Sequence, residues 1–93
     1  MLDAVATVLI DNERVRVTEW RFAPGAHTGH HRHDYPYVVV PMTTGALAIK
    51  SAAGDAMAQL TAGAPYYRNA GVEHDVINPN AGEFVFVEIE LKA

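Results

Sequence analysis

Phe84-Val85-Phe86-Val87-Glu88-Ile89-Glu90-Leu91 reads as a β-strand. β-Branched and aromatic residues fill it, and in its second half Val87, Ile89 and Leu91 alternate with Glu88 and Glu90. One side is therefore expected to be wet there, while the apolar first half is expected to be covered on both sides. Upstream, Gly and Pro divide the chain at short intervals (Pro24-Gly25, Gly45, Gly54, Gly63, Pro65, Gly71, Pro79, Gly82) between runs of Val, Ile, Thr, Tyr and Phe. That punctuation predicts strands at 7–10, 14–22, 28–33, 37–42, 46–51, 56–60, 65–69, 74–78 and 84–91. No stretch keeps helical spacing through three turns. In Val15-Arg16-Val17-Thr18-Glu19-Trp20-Arg21-Phe22 the apolar parity switches between Val17 and Trp20. A bulge near Thr18 or Glu19, or two covering surfaces along one strand, would produce the switch. The fold class is all-β, a sandwich or small closed barrel.

The chain has 93 residues, 49% hydrophobic and 19% charged, so residues 1–93 are expected to form a single domain with one core. With no cysteine there is no disulfide, thiolate metal site or nucleophilic thiol, and any metal must use His, carboxylate or Tyr. Seven Lys and Arg against eleven Asp and Glu give a net charge of −4, with no basic run to track a phosphate backbone, so nucleic acid is not an expected partner. The first ten residues carry an acid where a signal peptide needs positive charge. Their apolar stretch is also too short to span a bilayer, so a soluble, cytoplasmic protein without membrane association is expected. That same stretch has nothing local to pack on, and so short a chain has little core, which together point to a homodimer.

Four of the five histidines lie in His27-Thr28-Gly29-His30-His31-Arg32-His33. In a strand, side chains at i and i+2 share a face, so His31 and His33 project together while Arg32 points away. Two imidazoles on one face form half a site for Zn, Fe, Cu or Ni. His74 follows the turn Asn69-Ala70-Gly71-Val72-Glu73 and can supply a third ligand from across the fold. The competing reading is a set of hydrogen-bonded or solvated histidines that bind nothing.

At these positions the chain resembles the cupin superfamily. The first cupin motif, G-x5-H-x-H-x3or4-E-x6-G, is met by Gly25, His31, His33 and Gly45; the second, G-x5-P-x-G-x2-H-x3-N, by Gly63, Gly71, His74 and Asn78. More narrowly, 12–20, His31-Arg32-His33 and 37–41 are similar to the small cupins of the β-alanine degradation (BauB) type. The resemblance implies a small cupin-type β-barrel, a double-stranded β-helix or jelly roll, around one divalent transition metal. Two departures stand out. Tyr37 or Val38 replaces the motif Glu, and Asn69 replaces the motif Pro. The implied ligands are then His31, His33 and His74, a neutral set with open positions for water, oxygen or substrate, as in catalytic sites. Thiol dioxygenases are cupins of this three-histidine, iron-using kind.

Tyr37, four residues after His33, returns to the histidine face if the strand continues, where its phenol can bond a metal-bound water or an anionic substrate. An aromatic core role is the alternative. His27 shares parity with His31 but lies beyond Gly29, and His30 is expected to face away. Arg68 can bind a carboxylate or serve as a surface arginine. Glu73 and Asp75 are expected to face solvent, and Asp34 can orient an imidazole from outside the ligand set. No general base is visible near the three histidines. The functional expectation is a metal-binding cupin that acts on a small, anionic organic molecule, as an oxygenase of an acid or thiol. The alternative is a non-catalytic small-ligand or metal-binding module.

Overall fold

A computed structural model describes all of residues 1–93. It contains nine strands and no helix: β1 Val5–Asp11, β2 Val15–Phe22, β3 His31–Arg32, β4 Tyr37–Pro41, β5 Gly45–Ser51, β6 Gly54–Leu60, β7 Tyr66–Arg68, β8 Glu73–Ile77 and β9 Phe84–Leu91. No helix is long and apolar enough to cross a membrane. The strands form two antiparallel sheets, ordered β1-β2-β9-β4-β7 and β3-β8-β5-β6. The inner faces of these sheets enclose Phe22, Tyr37, Val39, Leu47, Leu60, Val76, Phe84 and Phe86 in one small core.

Cross-strand register organises the inside of the larger sheet into rows. Phe22 pairs with Phe84, and Trp20, Phe86 and Pro41 form the next row. Thr18, Glu88, Val39 and Tyr66 follow, then Arg16, Glu90, Tyr37 and Arg68. Because side chains alternate along each strand, residues two apart stay on one face and the rows stack along the barrel. The interior therefore runs from an aromatic plug at Phe22 and Phe84, both 0% exposed, to a charged rim at Arg16, Glu90 and Arg68. The side of β9 expected to be wet is this inner face, and Glu88 on it is buried. Val85, Val87 and Ile89 lie on the outer face, half-buried.

Two further expectations change. The strand expected at 28–33 contracts to His31–Arg32, because Gly29 adopts φ +85° and breaks the extension. No bulge interrupts β2, which pairs with β9 in unbroken register from Val15 to Phe22. The irregularity lies in β1, between Val8 and Ile10, and the parity switch on β2 reflects two partly covered faces.

At the plugged end Asn78 is 0% exposed and ties the chain together. Its Nδ2 donates to the carbonyls of Phe22 (3.1 Å) and Gly82 (2.9 Å), and its Oδ1 accepts from the Asn80 backbone N–H at 2.8 Å. The second-motif asparagine is a structural clasp, remote in role from the histidines.

Candidate metal centre

β3 and β8 place His31 directly opposite His74. The ladder continues past β3, since the His33 N–H donates to the Val72 carbonyl and the Gly71 N–H to the His33 carbonyl, each at 2.8 Å. His33 thereby returns to the inner face beside His31. The three imidazoles meet through Nε2: His31 to His33 at 2.9 Å, and His33 to His74 at 3.3 Å. They are the one group of histidines and carboxylates close enough to share an ion.

The outer nitrogens show which way each ring faces. His31 Nδ1–H donates to the Gly29 carbonyl at 2.8 Å, which leaves its Nε2 with a free lone pair. The left-handed turn at Gly29 is what points that carbonyl back toward the ring. Trp20 stacks near His31, with ring centroids 6.5 Å apart and planes 19° from parallel. Tyr37 stacks on His33 at 4.0 Å between centroids. On the Nδ1 side of His33 lies Glu88 Oε1, at 3.9 Å.

Burial holds two of these rings neutral. The pKa values of His33 and His74 are pushed down to about 4, first by burial and then by the neighbouring imidazoles. Burial, reinforced by Glu90, pushes the Glu88 carboxyl up to about 7. The Tyr37 phenol is pushed up, chiefly by burial and then by Glu88, so it stays protonated and able to donate.

These residues fit a divalent transition metal. Metal–imidazole bonds of about 2.0–2.1 Å, at angles from about 90° to 109°, put ligand nitrogens roughly 2.9–3.4 Å apart; the His31–His33 and His33–His74 spacings of 2.9 and 3.3 Å lie in that range, and all three ligand atoms lie within 4.8 Å of one another. Neutral nitrogens gathered so closely suit a cation between them. The histidines open onto an inner cavity of about 30 Å³, lined also by Thr28, Tyr66, Glu88 and apolar side chains. Two wider clefts of about 250 and 350 Å³ adjoin it, the first past His31, His33, Arg16 and Glu90, the second past His74, Tyr66 and Arg68.

The remaining sequence candidates fall outside this centre. His27 Nδ1–H donates to Asp75 at 3.0 Å and its Nε2 approaches Asp3, so it fastens the N-terminal segment to β8. Asp75 is half-buried by this pairing and also accepts from the Gly29 N–H at 3.1 Å, which corrects the expectation that it faces solvent. His30 pairs with Glu73 at the surface, 2.8 Å apart. Asp34 does not orient an imidazole; its exposed carboxylate lies 3.6 Å from Arg32. Arg68 lies over the Tyr66 ring, 4.5 Å from its centroid. The residue missed from sequence is Glu88, a carboxyl beside His33 in the place expected for Asp34. It shares a face with Phe84 and Phe86, but Val85, Val87 and Ile89 make the opposite face of β9 apolar too, so parity did not mark it as inward.

No model of a protein family matches the chain. The crystal structure of a cupin domain from Bordetella pertussis Tohama I superimposes with a TM-score of 0.98 at 62% identity, over 99% of this chain and 96% of that one. The chain is a cupin. This cupin is also 61% identical over 89 residues to the β-alanine degradation protein BauB of Pseudomonas aeruginosa, covering 96% of the chain and 94% of its relative. The polyketide cyclase RemF of Streptomyces resistomycificus matches with a TM-score of 0.76 at 16% identity, over 98% of this cupin and 66% of the cyclase, and shares the fold alone.

Proposed function

We propose that this cupin binds one divalent transition metal through Nε2 of His31, His33 and His74 and presents it to a small anionic organic molecule, as an oxygenase of a short acid or thiol. The observation that carries this reading is the convergence of three Nε2 atoms beside a cavity with two adjoining clefts. When bound, the metal supplies a Lewis-acidic, and for iron a redox-active, centre for dioxygen and substrate. Around it, the chain's own residues bind and orient. The Tyr37 hydroxyl is held protonated by burial and donates to the anionic substrate. Arg68, exposed at the rim and held over Tyr66, attracts a carboxylate to the cleft beside His74. The apolar walls formed by Val39, Leu47, Val76 and Phe86 exclude bulk water. The name of the Pseudomonas relative ties that protein to β-alanine, a small molecule that carries a carboxylate.

The test is oxygen uptake by iron-loaded protein given a β-alanine or mercaptopropionate analogue. Turnover is expected, and Tyr37→Phe should slow it more than it weakens binding, read as a fall in kcat with little change in KM. Ligand binding without oxygen uptake under any metal would establish the second reading, a non-catalytic module. The small inner cavity, about 30 Å³, favours that second reading because it leaves little space beside an ion.

A further inference from the structure

The first cupin motif carries a carboxylate that this chain lacks, since Tyr37 and Val38 occupy its places. Yet a carboxylate is present, delivered from the other end of the sequence. Glu88 on β9 is 7% exposed, and its register partners Thr18 on β2 and Val39 on β4 are also buried. None of the hydrogen bonds in the structure reaches its side chain, and both the inner cavity and the cleft past His31 are lined by it. No group donates to its carboxyl, whose oxygens reach the cleft instead of being sealed in the core. Nδ1 of the neutral His33 ring lies 3.9 Å away, on the opposite side of the imidazole from the nitrogen that meets His31 and His74.

The other possible carboxylates are excluded by position. Asp75 is engaged by His27 and the Gly29 N–H, Glu73 by His30 at the surface, and Glu90 belongs to the rim row with Arg16 at 3.9 Å. His31 has its own outer acceptor in the Gly29 carbonyl. His33, stacked under Tyr37, has only Glu88 on its outer side among the charged groups.

We propose, building on the metal site inferred above, that Glu88 is a positioning residue for that site. When the metal is bound, its carboxylate closes the 3.9 Å gap to accept the Nδ1–H of His33, fixes the ring with Nε2 toward the metal, and supplies the negative charge that three neutral ligands lack. It is not itself a ligand, because it approaches the wrong edge of the imidazole and stands outside the cluster of ligand atoms. Carboxylate–histidine–metal pairs of this kind raise ligand basicity and lock the tautomer, and their loss lowers metal affinity by about 10–100-fold.

The experiment is a chelator-competition titration of zinc(II) and cobalt(II) on wild-type protein, Glu88→Gln and Glu88→Ala, with circular dichroism as the check on folding. Glu88→Ala is expected to weaken both metals by about 10–100-fold. Glu88→Gln keeps an acceptor oxygen without the charge and is expected to lose less. Nitrogen-15 spectra of the apo-proteins give an independent readout. His33 should carry its proton on Nδ1 in wild type and Glu88→Gln, and redistribute it toward Nε2 in Glu88→Ala. Wild-type affinity in a folded Glu88→Ala, or an unchanged His33 tautomer, would overturn the role of Glu88 alone. Wild-type protein that takes up neither metal would overturn the metal site and this role together.

Discussion

His31 and His74 are direct cross-strand partners, one from each cupin motif, joined through the short ladder of β3 and β8. The site therefore exists only where the two motifs pair, and the backbone bonds of His33 to Val72 and Gly71 extend that pairing by two residues. Each histidine holds its place through strand geometry, so removing an imidazole should empty the site without unfolding the barrel.

His31→Ala, His33→Ala and His74→Ala are each expected to lose most bound metal while keeping the β-rich circular dichroism spectrum. Metal analysis of protein purified without a histidine tag measures this. Full metal content in two of the three variants would exclude these residues as the ligand set.

The metal-free protein should show a stability optimum near pH 6.5. His33 and His74 have folded pKa values of about 4, below the ordinary 6.5, so the stability they provide is complete above pH 6.5 and is lost as pH falls toward 4. Glu88 works in the opposite sense. Its folded value of about 7 lies above the ordinary 4.5, so its burial becomes costly as pH rises from 4.5 to 7. Between these limits two protons on the unfolded histidines oppose one on the folded glutamate. Stability should therefore rise with pH by about 1.4 kcal/mol per unit. Glu88→Gln should steepen that rise and abolish the shallow fall above pH 6.5. Denaturation midpoints with chelator present, from pH 4.5 to 8, provide the check, and a wild-type profile that falls across pH 4.5–6.5 would contradict it.

Asn78→Ala is expected to cost about 2–4 kcal/mol, because it strands the carbonyls of Phe22 and Gly82 at the plugged end and removes the acceptor of the Asn80 backbone N–H. Metal affinity should change little, since this end of the barrel is remote from the histidines. Urea denaturation together with the chelator titration separates the two effects, and a loss below 0.5 kcal/mol would show that the clasp is dispensable.

β1 is an edge strand, exposed along its whole length, with Val5, Val8, Leu9 and Ile10 each 49–60% exposed. An apolar edge of this kind invites strand pairing, and the simplest partner is a second copy of this chain. Sedimentation at micromolar concentration should give twice the 10.1 kDa chain mass, and Val8→Lys with Leu9→Lys should shift it to monomer. A wild-type monomer that remains stable without residues 1–10 would refute the pairing.

The all-β character, the nine strand positions and the shared face of His31 and His33 were legible in the chain because each is a local property. Punctuation by Gly and Pro and a side-chain period of two act over a few residues. The site around Glu88 was not legible in this way. Along β9 the outer face carries Val85, Val87 and Ile89 while the inner face carries Phe84, Phe86 and Glu88, so hydrophobicity does not distinguish inside from outside. What distinguishes them is register: β2 and β4 pair with β9 so that Phe22 lies opposite Phe84, and Trp20 and Pro41 flank Phe86. That pairing turns Glu88 inward beside an imidazole 55 residues earlier in the chain, whose orientation depends in turn on β8. Such a contact has no local signature, because its energy comes from burial and partner geometry that exist only once both sheets have closed.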